Sequence, residues 1–263
     1  MCRFFLTEQI SLLKWAPHLP FLVSIIFYSN PNLLTQNCCI SLITFLGHFY
    51  LLRTMESPLV GADIPIAFSE GFNPHMKIAF DAALGVGVSA SPLYMEIRLE
   101  KEISCSQVKE MLSAQLPDGI SILDIKEAEQ GAEKLVTFFN EDVYEMEGPL
   151  TGENNISMLQ ENIDKFNKLE SFVYTRVTPK KVRELDVKLM IVEPIHVSIK
   201  NNRAYLSFSL IRSQNGTVQP KDIWKLLAES FNMPWWPDQF ICSRVGTYRI
   251  ENGKRITPFS KTM

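Results

Sequence analysis

The alternation from Tyr94 to Leu99 constrains the fold of this chain more than any other stretch. Tyr94, Glu96 and Arg98 stand against Met95, Ile97 and Leu99, the period-two pattern of a strand buried on one face. Ser104 then caps an amphipathic helix to Leu116, with Val108, Met111, Leu112 and Leu116 on one side. Pro117-Asp-Gly119 stops that helix, and Ile120 to Ile125 alternates again as a strand. A strand that passes through a helix into a further strand lays the helix across a sheet face, so the chain is committed to layers of both kinds.

The same logic extends in both directions. Upstream, Ile40 to Leu46 reads as a short strand followed by a helical stretch to about Ser57. Ile64 to Phe68 reads as a strand ended by Gly71, Asn73 and Pro74, and Ile78 to Leu84 as another. Downstream, strands are predicted over Lys134–Val143, Phe172–Val177, Asp186–Val192, Ile195–Ile199, Ala204–Ile211 and Arg244–Ile250, with a turn at Asn252-Gly253. Helices are predicted over Ile156–Leu169 and from Pro220 to about Phe231, proline being favoured at a helix start. The predicted fold class is α+β: two tandem ferredoxin-like βαββαβ halves with antiparallel sheets, residues 41–130 and 131–263, joined near Gln130-Gly131.

Residues 1–40 do not fit this plan. The first 52 residues carry three full charges, Arg3, Glu8 and Lys14, whereas charges recur every few residues from Arg53 onward. The apolar run Leu19 to Tyr28 is shorter than the roughly 20 residues of a membrane span, and Pro17 and Pro20 interrupt it. We read 1–40 as an atypical apolar segment outside the native fold, from an upstream start or a frame slip. A buried extension and a targeting segment are the alternatives, and no stable membrane association is expected.

Composition narrows function by exclusion. A formal net charge of −3 over 263 residues gives no global basic field, so any nucleic-acid contact needs a local patch. Five cysteines form no CxxC pair, which argues for reduced thiols in a cytoplasmic protein. No clustered thiolates are present to carry an iron–sulfur cluster. His48 and His75 lack a third ligand at a recognisable spacing, so no metal is assigned. No serine–histidine–acid order, paired carboxylates or Gly-rich phosphate loop appears, and we assign no catalytic residue.

The most informative segment is Ser69-Glu-Gly-Phe-Asn-Pro-His-Met-Lys77. Gly71 frees the backbone, Asn73-Pro74 sets a turned path, and Phe72, His75 and Lys77 bring a ring, an imidazole and a cation together. Such a loop can stack a base and hold an anion. It can equally be a tight crossover whose Phe72 plugs the core, in which case truncation to alanine costs about 3–5 kcal/mol. Two basic clusters stand out: Arg176, Lys180, Lys181 and Arg183, and Arg244, Arg249, Lys254 and Arg255. Each is either a solvated face or a phosphate-contacting patch. Trp235-Trp236, between Pro234 and Pro237, reads as a packed loop rather than a stacking platform.

The stretch from Asp63 through Ser69-Glu-Gly-Phe-Asn-Pro-His75 to Ile78 resembles the partner-domain family found beside, or fused behind, cobalamin-binding radical SAM proteins. Phe45-Leu-Gly-His48, Leu51-Leu-Arg53, Gly85-Val-Gly87, Asn215-Gly216-Thr217-Val-Gln-Pro220 and Arg244-Val-Gly-Thr-Tyr-Arg249 are similar to its further signatures, so the resemblance covers about residues 44–258. It implies a non-catalytic accessory that grips a substrate, RNA or a translation component, for a radical SAM enzyme. Iron–sulfur cluster, S-adenosylmethionine and cobalamin would belong to that enzyme, with no cofactor in this chain. The implied binding residues are His48, Arg53, Ser69, Gly71, Phe72, Asn73, Pro74, His75, Lys77, Arg183, Gly216, Thr217 and Arg244. Phe72 and His75 would stack or hydrogen-bond, Lys77 and Arg53 meet anions, and Asn73 shape the loop. An RNA-binding or RNA-processing protein acting alone, with His48 and His75 as acid and base, and a purely structural assembly partner are the other readings. The chain departs from the family at Tyr50, where an acid is usual, and at Pro58 and Gly61, which would cost about 3 and 1 kcal/mol in an exposed helix interior.

Overall fold

A computed structural model of the protein describes residues 21–29, 33–40, 48–117, 120–128, 131–152, 156–178, 181–213 and 218–259. It is a mixed α+β fold with one large sheet in each half and a separate two-stranded ribbon in the second.

The first sheet contains β1 (Phe21–Ser29), β2 (Leu33–Ile40), β3 (Ile78–Phe80), β5 (Leu93–Leu99) and β6 (Ile120–Ala128), while β4 (Val88–Ala90) leaves to join the second sheet. β2 pairs antiparallel with β5 and β6, β1 pairs parallel with both, and β3 pairs antiparallel with β5. The strand predicted over Ile40–Leu46 lies, apart from Ile40, outside the described residues. β1 and β2 themselves stand in the charge-poor segment read as standing outside the fold.

Helix α1 (His48–Gly61) passes through Pro58 without a break. Met55, Pro58, Leu59 and Ala62 are all buried, an i, i+3, i+4, i+7 stripe against the sheet. Packing of that stripe outweighs the propensity cost expected of Pro58. Gly61 is exposed, and a Cβ there would meet only the flexible end of the Gln115 side chain, Oε1 at 3.0 Å. Helix α2 (Cys105–Ser113) starts as predicted: Ser104 Oγ accepts from Gln107 N at 3.3 Å, and Gln107 Oε1 accepts from Ser104 N at 3.2 Å, a reciprocal capping box.

In the second half α3 (Leu135–Phe138) is followed by β7 (Glu141–Pro149), α4 (Ile156–Asn167), β8 (Val173–Thr178), β9 (Lys181–Asp186) and a short 3-10 turn, Lys188–Met190. Then come β10 (His196–Lys200), β11 (Arg203–Ile211), α5 (Pro220–Ser230), β12 (Ile241–Glu251) and β13 (Lys254–Ile256). The sheet order is β10-β11-β7-β12-β13, with antiparallel pairing throughout. β8 and β9 pair only with each other.

Three predicted strands give way to other structure. Ile64–Phe68 makes only isolated bridges, Ile66 to Leu99 and Phe68 to Met76, since Pro65 has no N–H for a ladder. Leu135 to Phe138 is helical rather than extended, with Leu135 N donating to Glu96 Oε2 at 3.0 Å and Phe139 packed on Tyr94 at 4.7 Å between ring centroids. Asp186–Val192 turns through the 3-10 segment, its start held by Asp186 Oδ1 accepting from Phe172 N and Lys188 N, each at 3.0 Å.

The two halves are knitted together. β4 adds in parallel to β12 through Val88, Ser89 and Ala90 opposite Cys242, Ser243 and Arg244. Ser89 and Ser243 hydroxyls meet at 2.7 Å beside that join.

Candidate functional site

The loop from Ser69 to Lys77 is closed at its base by backbone bonds. Ser69 N donates to His75 O at 2.8 Å, His75 N donates to Ser69 Oγ at 2.9 Å, and Lys77 N donates to Ala67 O at 2.8 Å. The flanks are tied to β5, with Ala67 N donating to Arg98 O at 2.8 Å and Arg98 N to Lys77 O at 2.9 Å. Ile66 and Ala67 are buried, and Met76 packs against the first core. The loop is thus a pinned projection from the sheet edge rather than slack chain.

Gly71 has φ +122°, a conformation that L side chains rarely adopt, and no atom lies within 4 Å of where its Cβ would be. Its requirement is therefore torsional and not steric. Residues Gly71, Phe72, Asn73, Pro74 and His75 are all exposed, with Ser69 and Lys77 half-buried. Phe72 is fully exposed, and Phe68 is partly exposed on the same projection. The core-plug reading of Phe72 is overturned: the ring buries nothing in this chain.

The other expected site residues scatter. Arg53 is exposed on α1, whereas His48 opens that helix with a side chain outside the described residues. Gly216 and Thr217 also lie outside the described residues. Arg183 is exposed on β9, directly across from Arg176 on β8. Arg244 is not a surface cation at all, being 1% exposed. The second basic cluster dissolves with it: Arg249 pairs with Glu133 at 2.6 Å, and Arg255 holds Glu141 through two bonds of 2.7 and 2.6 Å. Trp235 is buried and stacks on Trp224 at 4.4 Å, so the Trp235-Trp236 segment is a packed loop as expected.

Arg244 belongs to an ion cluster that sequence reasoning missed. Its Nη1 lies 2.9 Å from Asp81 Oδ2, and Nη2 donates to Asp81 Oδ1 at 3.1 Å. Arg212 joins the two halves again, with Nη2 at 2.7 Å from both Asp81 Oδ2 and Asp142 Oδ1. Its Nε donates to Asp142 Oδ2 at 2.8 Å, its Nη1 to Asp81 O at 3.0 Å, and Nη2 also to Thr247 Oγ1 at 2.8 Å. Burial works to raise the Asp142 carboxyl, but the Arg212 hydrogen bond and the Arg244 charge outweigh it and hold it below its usual range. Burial likewise opposes the charge on Arg244, and Asp81 and Asp142 more than offset it. Two acids balance two guanidiniums, leaving Arg244 Nε without a partner. With its charges matched, and with Asp81 and Arg244 fully enclosed, this cluster is a clamp between the halves.

Among the described residues no group of three His, Cys, Asp or Glu side chains is placed to hold a metal. No helix among them is long and apolar enough to cross a membrane. The sequence model for DUF2344, described as an uncharacterized protein conserved in bacteria, matches residues 40–220, more than half of the chain. The chain belongs to DUF2344. No curated protein matches it. The DUF2344 match takes in α1, the Ser69–Lys77 loop, Asp81, Asp142 and Arg212, and ends where α5 begins, so Arg244 on β12 lies beyond it.

Proposed function

We propose that this DUF2344 chain is a non-catalytic binding partner that presents the Ser69–Lys77 loop to a radical SAM enzyme and helps it grip an RNA substrate. The observation that carries the reading is Phe72, a wholly exposed aromatic at the tip of a hydrogen-bonded loop. Exposed on a pinned backbone, a large ring loses little conformational freedom on docking, which is the character of an interface anchor. The resemblance of the Asp63–Ile78 stretch to the radical SAM-associated partner family supplies the enzyme class and the RNA. In a cytoplasmic complex of this kind the iron–sulfur cluster, S-adenosylmethionine and cobalamin reside in the enzyme.

The strand orders support the architecture that goes with this reading. β6-β2-β5-β3 and β12-β7-β11-β10 are each the 4-1-3-2 order of a βαββαβ unit, with α1 and α2, and α4 and α5, as the crossovers. On this reading the two halves are ferredoxin-like, with the β8–β9 hairpin an insertion between α4 and β10.

The test is anaerobic co-purification of the full chain with a radical SAM protein from the same genome, for wild type and Phe72→Ala. An aromatic anchor predicts a loss of affinity of at least ~30-fold for Phe72→Ala, with its melting temperature within about 2 °C of wild type. Absence of any complex with wild type, or equal affinity of the variant, refutes the reading.

A further inference from the structure

The second sheet has one covered face. Leu206 and Phe208 on β11, Met146 on β7 and Cys242 on β12 are buried in the second core together with residues of α4 and α5. Alternation turns the residues between them to the opposite side. On that side Glu145 and Ile241 are exposed, and Tyr205, Ser207 and Ser243 are half-buried. An open sheet face of this kind runs across β10, β11, β7, β12 and β4.

Its charges are separated by the register. Lys200 lies opposite Arg203, and Arg203 opposite Pro149 at the end of β7, whereas Glu147 and Glu145 stand further back along β7. Arg203 and Glu147 already meet, at 3.4 Å, and Glu147 also accepts from the Tyr205 hydroxyl. Lys200 and Glu145 are left over. Both are exposed, and neither has an ion-pair partner among the described residues. Two strand spacings and four residues set them about 16 Å apart, too far to reach each other.

Two cations against two acids give no basic field for a phosphate chain. Opposite charges at opposite ends of one face make that face complementary to itself. A second copy turned by half a revolution about an axis passing over Tyr205 brings Lys200 of each chain to Glu145 of the other. Both contacts then form at once, as closed twofold symmetry requires. Five strands and three rows of side chains make a face of roughly 24 by 20 Å in plan, which with side-chain relief approaches the ~800 Å² per partner of a standard interface. Association also shields Ile241, which is 48% exposed.

We infer that the open face of the second sheet is a homodimer interface, closed around Tyr205 by reciprocal Lys200–Glu145 ion pairs. It goes beyond the loop reading, and no residue of Ser69–Lys77 enters it. The measurement is sedimentation velocity of the full chain from about 5 to 200 µM in about 50 mM KCl, where exposed ion pairs are little screened. Wild type should sediment as a dimer that dissociates on dilution. Lys200→Glu and Glu145→Lys each place two like-charge contacts in the dimer and should weaken it at least ~10-fold. Lys200→Glu/Glu145→Lys should restore it. An equimolar mixture of the two single variants should restore it as well, because both contacts of the mixed dimer are again opposite in sign. Recovery on mixing reports a contact between chains, which a folding defect cannot mimic. Wild type that stays monomeric over this range hands the face to a partner of another kind and overturns the proposal. Single variants that dimerise like wild type, or a mixture no tighter than its components, overturn it too. None of these results bears on the affinity of Phe72→Ala for an enzyme, so the dimer and the loop reading fail separately.

Discussion

Removing the Asp81 carboxylate strips both guanidiniums of the inter-half clamp at once. Asp81 is fully buried and contacts Arg244 at 2.9 and 3.1 Å and Arg212 at 2.7 Å. In Asp81→Ala, Arg212 keeps its two short bonds to Asp142 and reaches solvent with 16% of its side chain exposed, so its loss is partial. Arg244 has no such outlet: its remaining carboxylate, Asp142, is 3.6 Å away, and its Nε already lacks a partner. Breaking a buried ion pair by deleting one member costs about 3–5 kcal/mol. With a urea m-value of about 2–3 kcal/mol/M, the midpoint should fall by roughly 1–2.5 M. The assay is urea unfolding followed by circular dichroism. Asp81→Leu/Arg244→Met, which removes the stranded charge together with its partner, should be more stable than the sum of the two single losses predicts, by about 1–3 kcal/mol. A single-variant loss below about 1 kcal/mol would refute the view that this cluster holds the halves together.

Two further outcomes follow from the same interior. Because the Asp142 carboxyl is held below its unfolded value, its contribution is complete above the ordinary carboxylate range near 4 and is lost as the pH falls through the lower folded value; thermal melts from about pH 7 down to pH 2 should show the decline confined to the acid side, and a flat profile there would count against the ion cluster. Gly148→Ala should destabilise by about 1–3 kcal/mol, because the added Cβ would lie 2.5 Å from both Gln239 O and Trp224 Cζ2, and a melting temperature equal to wild type would contradict that packing.

Local signals were readable where a residue's neighbours along the chain decide its state. The β5 strand, the Ser104–Gln107 capping box, Pro220 at the first residue of α5, and the Asn252-Gly253 turn with φ values of 51° and 73° all stand where the sequence puts them, although Tyr94, on the β5 face expected to be open, is buried. The failures share a cause. Leu-Val-Thr-Phe at 135–138 has strand-forming composition, yet it is drawn into a helical turn by Tyr94 and Glu96, which lie about forty positions earlier. Arg244 reads as one cation in a basic run, because nothing in the sequence reveals an acid 163 positions away. Arg249 and Arg255 mislead in the same way, their partners Glu133 and Glu141 lying 116 and 114 positions distant.

The sequence by itself determined that this chain folds into helices layered on sheets and that one loop, Ser69 to Lys77, carries an aromatic, an imidazole and a cation around the turn formers Gly71, Asn73 and Pro74. Period, capping and turn chemistry act over a few residues, so they can be read from the residues alone. Only the tertiary structure decided that Phe72 points away from the core, that Pro58 is tolerated within a buried helical stripe, and that Arg244 is a structural clamp rather than a surface contact. Burial and charge pairing depend on which distant segments meet, and that is settled by the packing of two sheets joined through β4 and β12.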